Sequence, residues 1–333
     1  MEYYGLDIHK LSITYTCMNE QGQILRRGQV ATTPEAIMGI VAPSGDQAWV
    51  ALEATRGWSY VYDTLEPLGA QLFLAHPKRV KAIAAAKVKT DAIDSATLAH
   101  LLRTRLLPVS YAPPPSVRSW REMLRTRQGM VRMRSACRHR IHSILAKEGL
   151  IVPMSDLFGK KGRRWLAVQS LSAPHRQLVD LLSGQVDSIT QAITEIEENL
   201  RHTMEDHPVL ARLMTVPGFG SLTAAAFLAE VGDVDRFPKA RHLVSYLGLA
   251  PRVRASGGHV RTGSLTKEGP PLIRSYLVQV VQNAIRSPGP CQELYLRVRE
   301  RSGSQSARVA VARKLAILAY LAWKFSKEVV SRE

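Results

Sequence analysis

An aspartate sits in the middle of the first strand-forming run of this chain, Tyr3-Tyr4-Gly5-Leu6-Asp7-Ile8-His9-Lys10. Aromatic and β-branched residues favour an extended backbone there, yet aspartate is depleted from strands and costly to bury without a partner. Either the strand ends at Asp7, which then caps a turn, or the fold brings to it something that needs a carboxylate. The placement of the other carboxylates favours the latter.

Two further alternating runs follow. In residues 11–18, Ile13, Tyr15 and Cys17 alternate with polar residues, and after the turn Asn19-Glu20-Gln21-Gly22 comes a run over 24–32. Residues 47–54 form a short apolar strand ending on Glu53, 58–68 a helix, 70–75 a buried strand, and 91–107 a helix with Ile93, Leu98, Leu101 and Leu102 apolar. Three strands, then strand, helix, strand, helix, resembles the outline of a ribonuclease-H-type α/β domain.

On that outline Asp7 lies on the first strand, Glu53 at the end of the fourth, and Asp91 and Asp94 on one face of the last helix. Acids at a helix start complement its dipole, which would account for Asp91 and Asp94 alone. Four carboxylates on these elements read instead as ligands of Mg²⁺, a hard cation that takes oxygen donors. Two such ions about 3.5–4 Å apart can activate a nucleophile and stabilise the leaving oxygen of a phosphodiester. Arg79, Lys87 and Lys89 lie close by in sequence, suited to a phosphate backbone.

Charge points the same way. The 333 residues carry 45 Lys and Arg against 28 Asp and Glu, a net +17 and an isoelectric point near 10.1. Such an excess calls for a polyanion, usually nucleic acid. The most apolar run, residues 309–325, is broken by Arg313, Lys314 and Lys324, which suits an amphipathic helix and disfavours a membrane span. The chain enters strand sequence at once, with no signal peptide. Cys17, Cys137 and Cys291 are odd in number and far apart, which implies free thiols in a reducing cytoplasm.

The sequence divides near residue 110, where Tyr111-Ala112-Pro113-Pro114-Pro115 forms a stiff linker, and again near 206. Residues 118–147 carry nine Lys or Arg against one acid, Glu122, at helical spacing. Like charges so arranged destabilise a helix unless a polyanion is present, so Arg118, Arg121, Arg125, Arg132 and Arg140 read as nucleic-acid contacts. Gly159 to Arg164 reads as a basic loop. Val179, Leu182, Val186, Ile189, Ile193, Ile196, Leu200 and Thr203 recur by threes and fours, a coiled-coil seam that serves either an internal partner or a homo-oligomer, dimer or tetramer. Val216-Pro217-Gly218-Phe219-Gly220 between two helices resembles a helix-hairpin-helix element, whose backbone amides can bind phosphate. A glycine-rich loop over 251–269 then carries Arg252, Arg254, Arg261 and Lys267, with Ser256 ahead of two glycines.

Taken together and in order, Gly5-Leu6-Asp7-Ile8-His9-Lys10, Leu52-Glu53-Ala54-Thr55, Lys89-Thr90-Asp91-Ala92-Ile93-Asp94, Val216-Pro217-Gly218-Phe219-Gly220 and Gly248-Leu249-Ala250-Pro251 with Ser256-Gly257-Gly258 resemble a known family. It is that of the insertion-sequence transposases with an N-terminal DEDD, RuvC-like domain and a C-terminal serine domain: the bridge-RNA-guided recombinases, with the Piv-type DNA invertases as relatives. The resemblance implies a RuvC-like catalytic domain over 1–110, a basic and coiled-coil region over 111–206, and a mostly helical transposase domain over 207–333. It implies Asp7, Glu53, Asp91 and Asp94 as the metal tetrad and Ser256 as the nucleophile, with Ser264 a rival. It further implies donor and target double-stranded DNA, a structured guide RNA, and a covalent phosphoserine during strand exchange. The alternative is a metal-only RuvC-like nuclease or Holliday-junction resolvase, in which Ser256 only shapes a loop.

Overall fold

The computed structural model describes residues 1–84, 90–256, 259–266 and 268–330, and only the backbone of 253–262 and 327–330 within them. Two compact units divide the chain at Pro113 and Pro114.

The first unit is a mixed sheet with helices. Strands β1 (Glu2–Ile8), β2 (Ser12–Met18) and β3 (Ile24–Ala31) form the expected antiparallel meander. After helix α1 (Pro34–Val41), β4 (Ala48–Glu53) pairs parallel to β1. Helix α2 (Trp58–Leu65) leads to β5 (Gln71–Ala75), parallel to β4, so the sheet order is β3-β2-β1-β4-β5. Helices α3 (Pro77–Ile83) and α4 (Asp91–Arg103) follow. The side-chain alternation of the strands gives the sheet two apolar faces. On one, Tyr4, Leu6, Val50 and Leu52 pack with Ile37 and Val61 of α1 and α2; on the other, Ala51 packs with Leu98 and Leu101 of α4.

Helix α4 lies directly on β1, and Gly5 permits it. A Cβ at Gly5 would stand 2.0 Å from the Ser95 carbonyl oxygen and 2.5 Å from the Ala99 amide nitrogen. A buried hydrogen bond between the Thr16 and Ser95 hydroxyls, 2.9 Å long, fixes the helix against β2 as well.

The second unit is mostly helical. Helix α5 (Pro115–Lys147) turns back through α6 (Lys160–Ala167) into α7 (Ala173–Met204). The basic stretch expected as a loop thus opens α6, with Gly159 as its N-cap. Then come α8 (Pro208–Met214), α9 (Ser221–Val231) and α10 (Ala240–Tyr246). A hairpin of β6 (Pro251–Ser256) and β7 (His259–Leu265) is followed by α11 (Pro271–Ala284) and α12 (Pro290–Val330), the last interrupted at Gly303. The segment expected as a glycine-rich loop is therefore largely a two-stranded ribbon.

The α7 seam is covered from within the chain. Arg127 pairs with Glu197, Arg134 reaches Thr190 and Cys137 reaches Gln185, so α5 and α7 run antiparallel. Val179, Val186, Ile193 and Leu200 are buried, at heptad spacing, whereas Thr203 is exposed and Met204 takes its place in the core. The stripe expected to meet either an internal partner or a second copy packs on α5 of the same chain. Leu200 and Met204 also share one core with α9, α11 and α12, which includes the fully buried Phe227 of α9.

Candidate functional site

The carboxylates meet where β1 leaves the sheet. Gly5 and Asp7 lie on the α4 face of β1 by the period of two, and Ala51 and Glu53 lie on the same face of β4. Leu6 is opposite Leu52 in the parallel register, so Asp7 and Glu53 follow side by side at the carboxyl ends of neighbouring strands. Opposite them α4 begins. Thr90 is its N-cap, accepting the Ile93 amide at 3.3 Å, and Asp91 and Asp94 occupy its first turn.

Ligand atoms of Asp7, Asp91 and His9 lie within 4.8 Å of one another. The His9 Nε2 stands 3.1 Å from Asp7 Oδ2 and 3.3 Å from Asp91 Oδ2, bridging the two carboxylates. Burial raises the Asp7 pKa, and Asp91 and Asp94 raise it further, while His9 opposes them. A half-buried carboxylate held beside two others is short of positive charge, and a hard divalent cation on oxygen donors supplies it. The donor set therefore fits a divalent cation, with Asp94 close to the tighter cluster and Glu53 on the neighbouring strand end. Spacing alone does not single out His9. The available signal is its parity with Asp7, two residues on, where the chain turns so that the His9 amide donates to Ser12 O at 2.9 Å.

The basic helix has two edges. Arg125, Arg132 and Arg140 are exposed, as expected of a nucleic-acid surface. Arg121 serves the fold: its Nε and Nη2 donate to the carbonyls of Ala229 and Glu230 at 2.7 and 2.9 Å, closing the carboxyl end of α9. Arg118 is half-buried beside it. The Glu230 side chain, only 2% exposed, faces Arg121 and Arg125 at 3.8 and 3.6 Å. Arg127, which spacing does not distinguish from its neighbours, donates to Glu197 at 2.6 Å and to the Tyr276 hydroxyl at 2.9 Å.

Ser256 ends β6, in register with His259. The base of this ribbon is braced by Arg274, whose guanidinium donates to the carbonyls of Leu247 and Gly269, each at 3.3 Å. Ser264 and Arg252 are exposed. The side chains of Ser256, Arg254 and Arg261, and all of Lys87, Lys89 and Lys267, lie outside the described residues. Among the described residues no helix is long and apolar enough to cross a membrane.

Comparison with known proteins covers most of the chain. Residues 4–148 match the DEDD transposase family model of IS110 type, described as Transposase, and residues 210–296 match the model described as Transposase IS116/IS110/IS902 family. The chain is 24% identical over 330 residues to the transposase for insertion sequence element IS1328 of Yersinia enterocolitica, covering 95% of both chains. It is 24% identical to the transposase for insertion sequence element IS1111A of Coxiella burnetii, covering 93% of this chain and 86% of that one. The pilin gene-inverting protein of Moraxella bovis is 31% identical over 137 residues, 40% of this chain and 42% of its own. With both domain models matched in order and relatives aligned nearly end to end, the chain belongs to the IS110/IS116 family of transposases, enzymes that cut and rejoin DNA.

Proposed function

We propose that the chain is a Mg²⁺-dependent DNA recombinase with a RuvC-like domain, in which Asp7, Glu53, Asp91 and Asp94 hold the metal and Ser256 is the nucleophile. The observation that carries this reading is the meeting of Asp7 and Asp91 across the β1–α4 contact. The sheet order with two parallel strands beside a meander supports the RuvC-like assignment.

Bound Mg²⁺, as a pair of ions, would lower the barrier to attack on a phosphodiester and neutralise charge on its oxygens. The protein's own part is to hold the carboxylates on a strand end and a helix start that cannot separate, because α4 touches the β1 backbone. The Ser256 oxygen would form a bond to phosphorus as the ester bond to one strand end breaks, that end leaving as a hydroxyl. Attack by the hydroxyl of the exchanged strand would then reseal the backbone and free the serine, so no external energy is consumed.

The exposed Arg125, Arg132, Arg140 and Arg252 would lie along donor and target DNA and a structured guide RNA. The guide RNA and a homo-oligomer belong to this proposal through the family resemblance. Because α5 covers the α7 seam, the oligomer would form through other surfaces.

The test is covalent capture. Labelled DNA reacted with Mg²⁺ is run on a denaturing gel and the adduct mapped to its peptide. An adduct on Ser256, lost in Ser256→Ala with nucleic-acid binding retained, is the expected result. An adduct on Ser264 would move the nucleophile. Efficient cleavage by Ser256→Ala, with no adduct in the parent protein, would replace the serine recombinase by a metal-only nuclease.

A further inference from the structure

His9 stands between the two carboxylates that meet across the β1–α4 contact. Its Nε2 lies 3.1 Å from Asp7 Oδ2 and 3.3 Å from Asp91 Oδ2, and ligand atoms of the three residues lie within 4.8 Å of one another. Resting on the reading above that Asp7 and Asp91 hold a divalent metal, we propose that His9 Nε2 is a third ligand to it. The site is then a mixed nitrogen–oxygen centre, which takes first-row transition-metal ions ahead of Mg²⁺.

The separations suit a shared ion. Two donor atoms each about 2.0–2.2 Å from one cation, at angles between a right angle and the tetrahedral angle, stand about 2.8–3.6 Å apart. Both His9 contacts fall inside that interval. A hydrogen bond has a similar length, so distance alone allows either a ligand or a mere clamp on the carboxylates. Three further observations favour the ligand.

The turn that carries His9 is fixed through its backbone. The His9 amide donates to the Ser12 carbonyl at 2.9 Å, the His9 carbonyl accepts the Thr32 hydroxyl at 3.4 Å, and the Thr32 amide donates to the Leu11 carbonyl at 3.2 Å. A metal site needs such support, because a ligand on a loose turn is not held in place. The direction of the ring is the second observation. The side chain is 47% exposed and has solvent open to it, yet its Nε2 faces both carboxylates. Charge is the third. Among the described residues no Lys or Arg forms an ion pair with Asp7 or Asp91. A ligating imidazole is neutral, so His9 adds a donor without adding to the repulsion between the two acids, and their charge is left for the cation.

The preference among ions follows from the donor. Carboxylate and water oxygens suit Mg²⁺, whereas imidazole nitrogen suits the transition metals, whose affinity for a given site rises from Mn²⁺ towards Cu²⁺. His9 therefore contributes more to holding a transition-metal ion than to holding Mg²⁺.

The test uses the full chain as the parent, His9→Gln and Asp91→Asn, with thermal melts to check each fold. Mn²⁺, the weakest binder of the transition series, serves as the probe. The parent is also prepared with its ten histidines carrying the heavier nitrogen isotope. Pulsed electron paramagnetic resonance of bound Mn²⁺ should show coupling to a directly bound nitrogen. That coupling should follow the isotope in the labelled protein and vanish in His9→Gln. By calorimetry, His9→Gln should weaken Mn²⁺ binding about tenfold while Mg²⁺ affinity changes about threefold or less. Absence of nitrogen coupling in the parent would overturn the proposal, whether or not His9→Gln folds. So would coupling that persists in folded His9→Gln, and so would equal weakening of Mn²⁺ and Mg²⁺, since the preference would then be absent. Asp91→Asn separates this from the reading on which it rests. Parental Mn²⁺ affinity in Asp91→Asn removes the carboxylate site itself, whereas loss of Mn²⁺ there with parental binding in His9→Gln removes His9 alone.

Discussion

Gly5 of β1 and Ser95 of α4 meet backbone to backbone, and the Asp7–Asp91 site depends on that contact. Gly5→Ala places a methyl group 2.0 Å from the Ser95 carbonyl oxygen, so α4 must move. Overpacking of this kind costs about 1–3 kcal/mol. Urea unfolding should show that loss, and Mg²⁺ titration should show weaker binding because Asp91 shifts with the helix. Full stability together with full Mg²⁺ affinity would mean that the site tolerates a displaced α4.

Asp91→Asn separates metal binding from folding. Replacing one of two repelling carboxylates should leave the metal-free protein at least as stable, since among the described residues His9 is the ion-pair partner that Asp91 then loses. The rise in melting temperature that Mg²⁺ gives the parent should disappear, and with it DNA cleavage. A Mg²⁺-dependent rise of parental size in Asp91→Asn would remove Asp91 from the ligand set.

The two edges of α5 should respond differently. Arg132 and Arg140 changed together to Gln should flatten the salt dependence of nucleic-acid binding by about one phosphate per lost contact, with little change in stability. Arg121→Gln should instead destabilise by about 1–3 kcal/mol, because two carbonyls at the end of α9 lose their donor. Thermal melts beside binding isotherms distinguish the two patterns.

Ile193, 4% exposed, tests which partner the α7 seam serves. Ile193→Ala should cost about 2–5 kcal/mol by opening a cavity against α5. Light scattering is expected to give the parental molar mass for the folded variant. A monomer of parental stability would return the seam to a second chain.

Where α5 gives way to α7, the Ser172 amide and hydroxyl donate to Glu148, and His175 joins them. These bonds hold the Glu148 carboxyl down at about 2, against 4.5 for a free glutamate. A carboxylate with a depressed folded pKa contributes stability above the unfolded value and loses it as pH falls through the interval. Between about pH 4.5 and 2 the parent should therefore lose melting temperature faster than Glu148→Gln. Parallel pH curves for the two proteins would show that the clasp contributes nothing in solution.

Much of this was readable before any coordinates. Alternation in residues 11–18 and the apolar run before Glu53 mark strands because each side chain there meets a different face. Glu53 and Asp91 follow from the same pattern, at the ends of predicted elements, and Asp7 stands out as a carboxylate within a strand run. Helices α1 and α3 are short, with Thr33-Pro34-Glu35 and Pro77 at their starts as the local signals, and periodicity does not build up over so few residues. Glycines and arginines break the alternation over 251–265, which hides the ribbon. The stripe on α7 is plain, yet a stripe says only that a face is covered and not by what; α5, whose charges read as outward, supplies the cover. The same holds for Arg121 and Arg127, whose partners are remote in sequence.

Helix α5 passes both ends of α9, closing the carboxyl end through Arg121 and lining a cavity at the amino end through Arg127 and Arg134. Divergence along this one helix is therefore unequal. Drift on the inner edge disturbs the core and is purged by misfolding, whereas the outer edge around the exposed Arg132 and Arg140, where we propose that nucleic acid binds, can change without disturbing it. A mobile element that must accommodate new sequences gains from such a division, because its contacts can be retuned without rebuilding the scaffold that carries them.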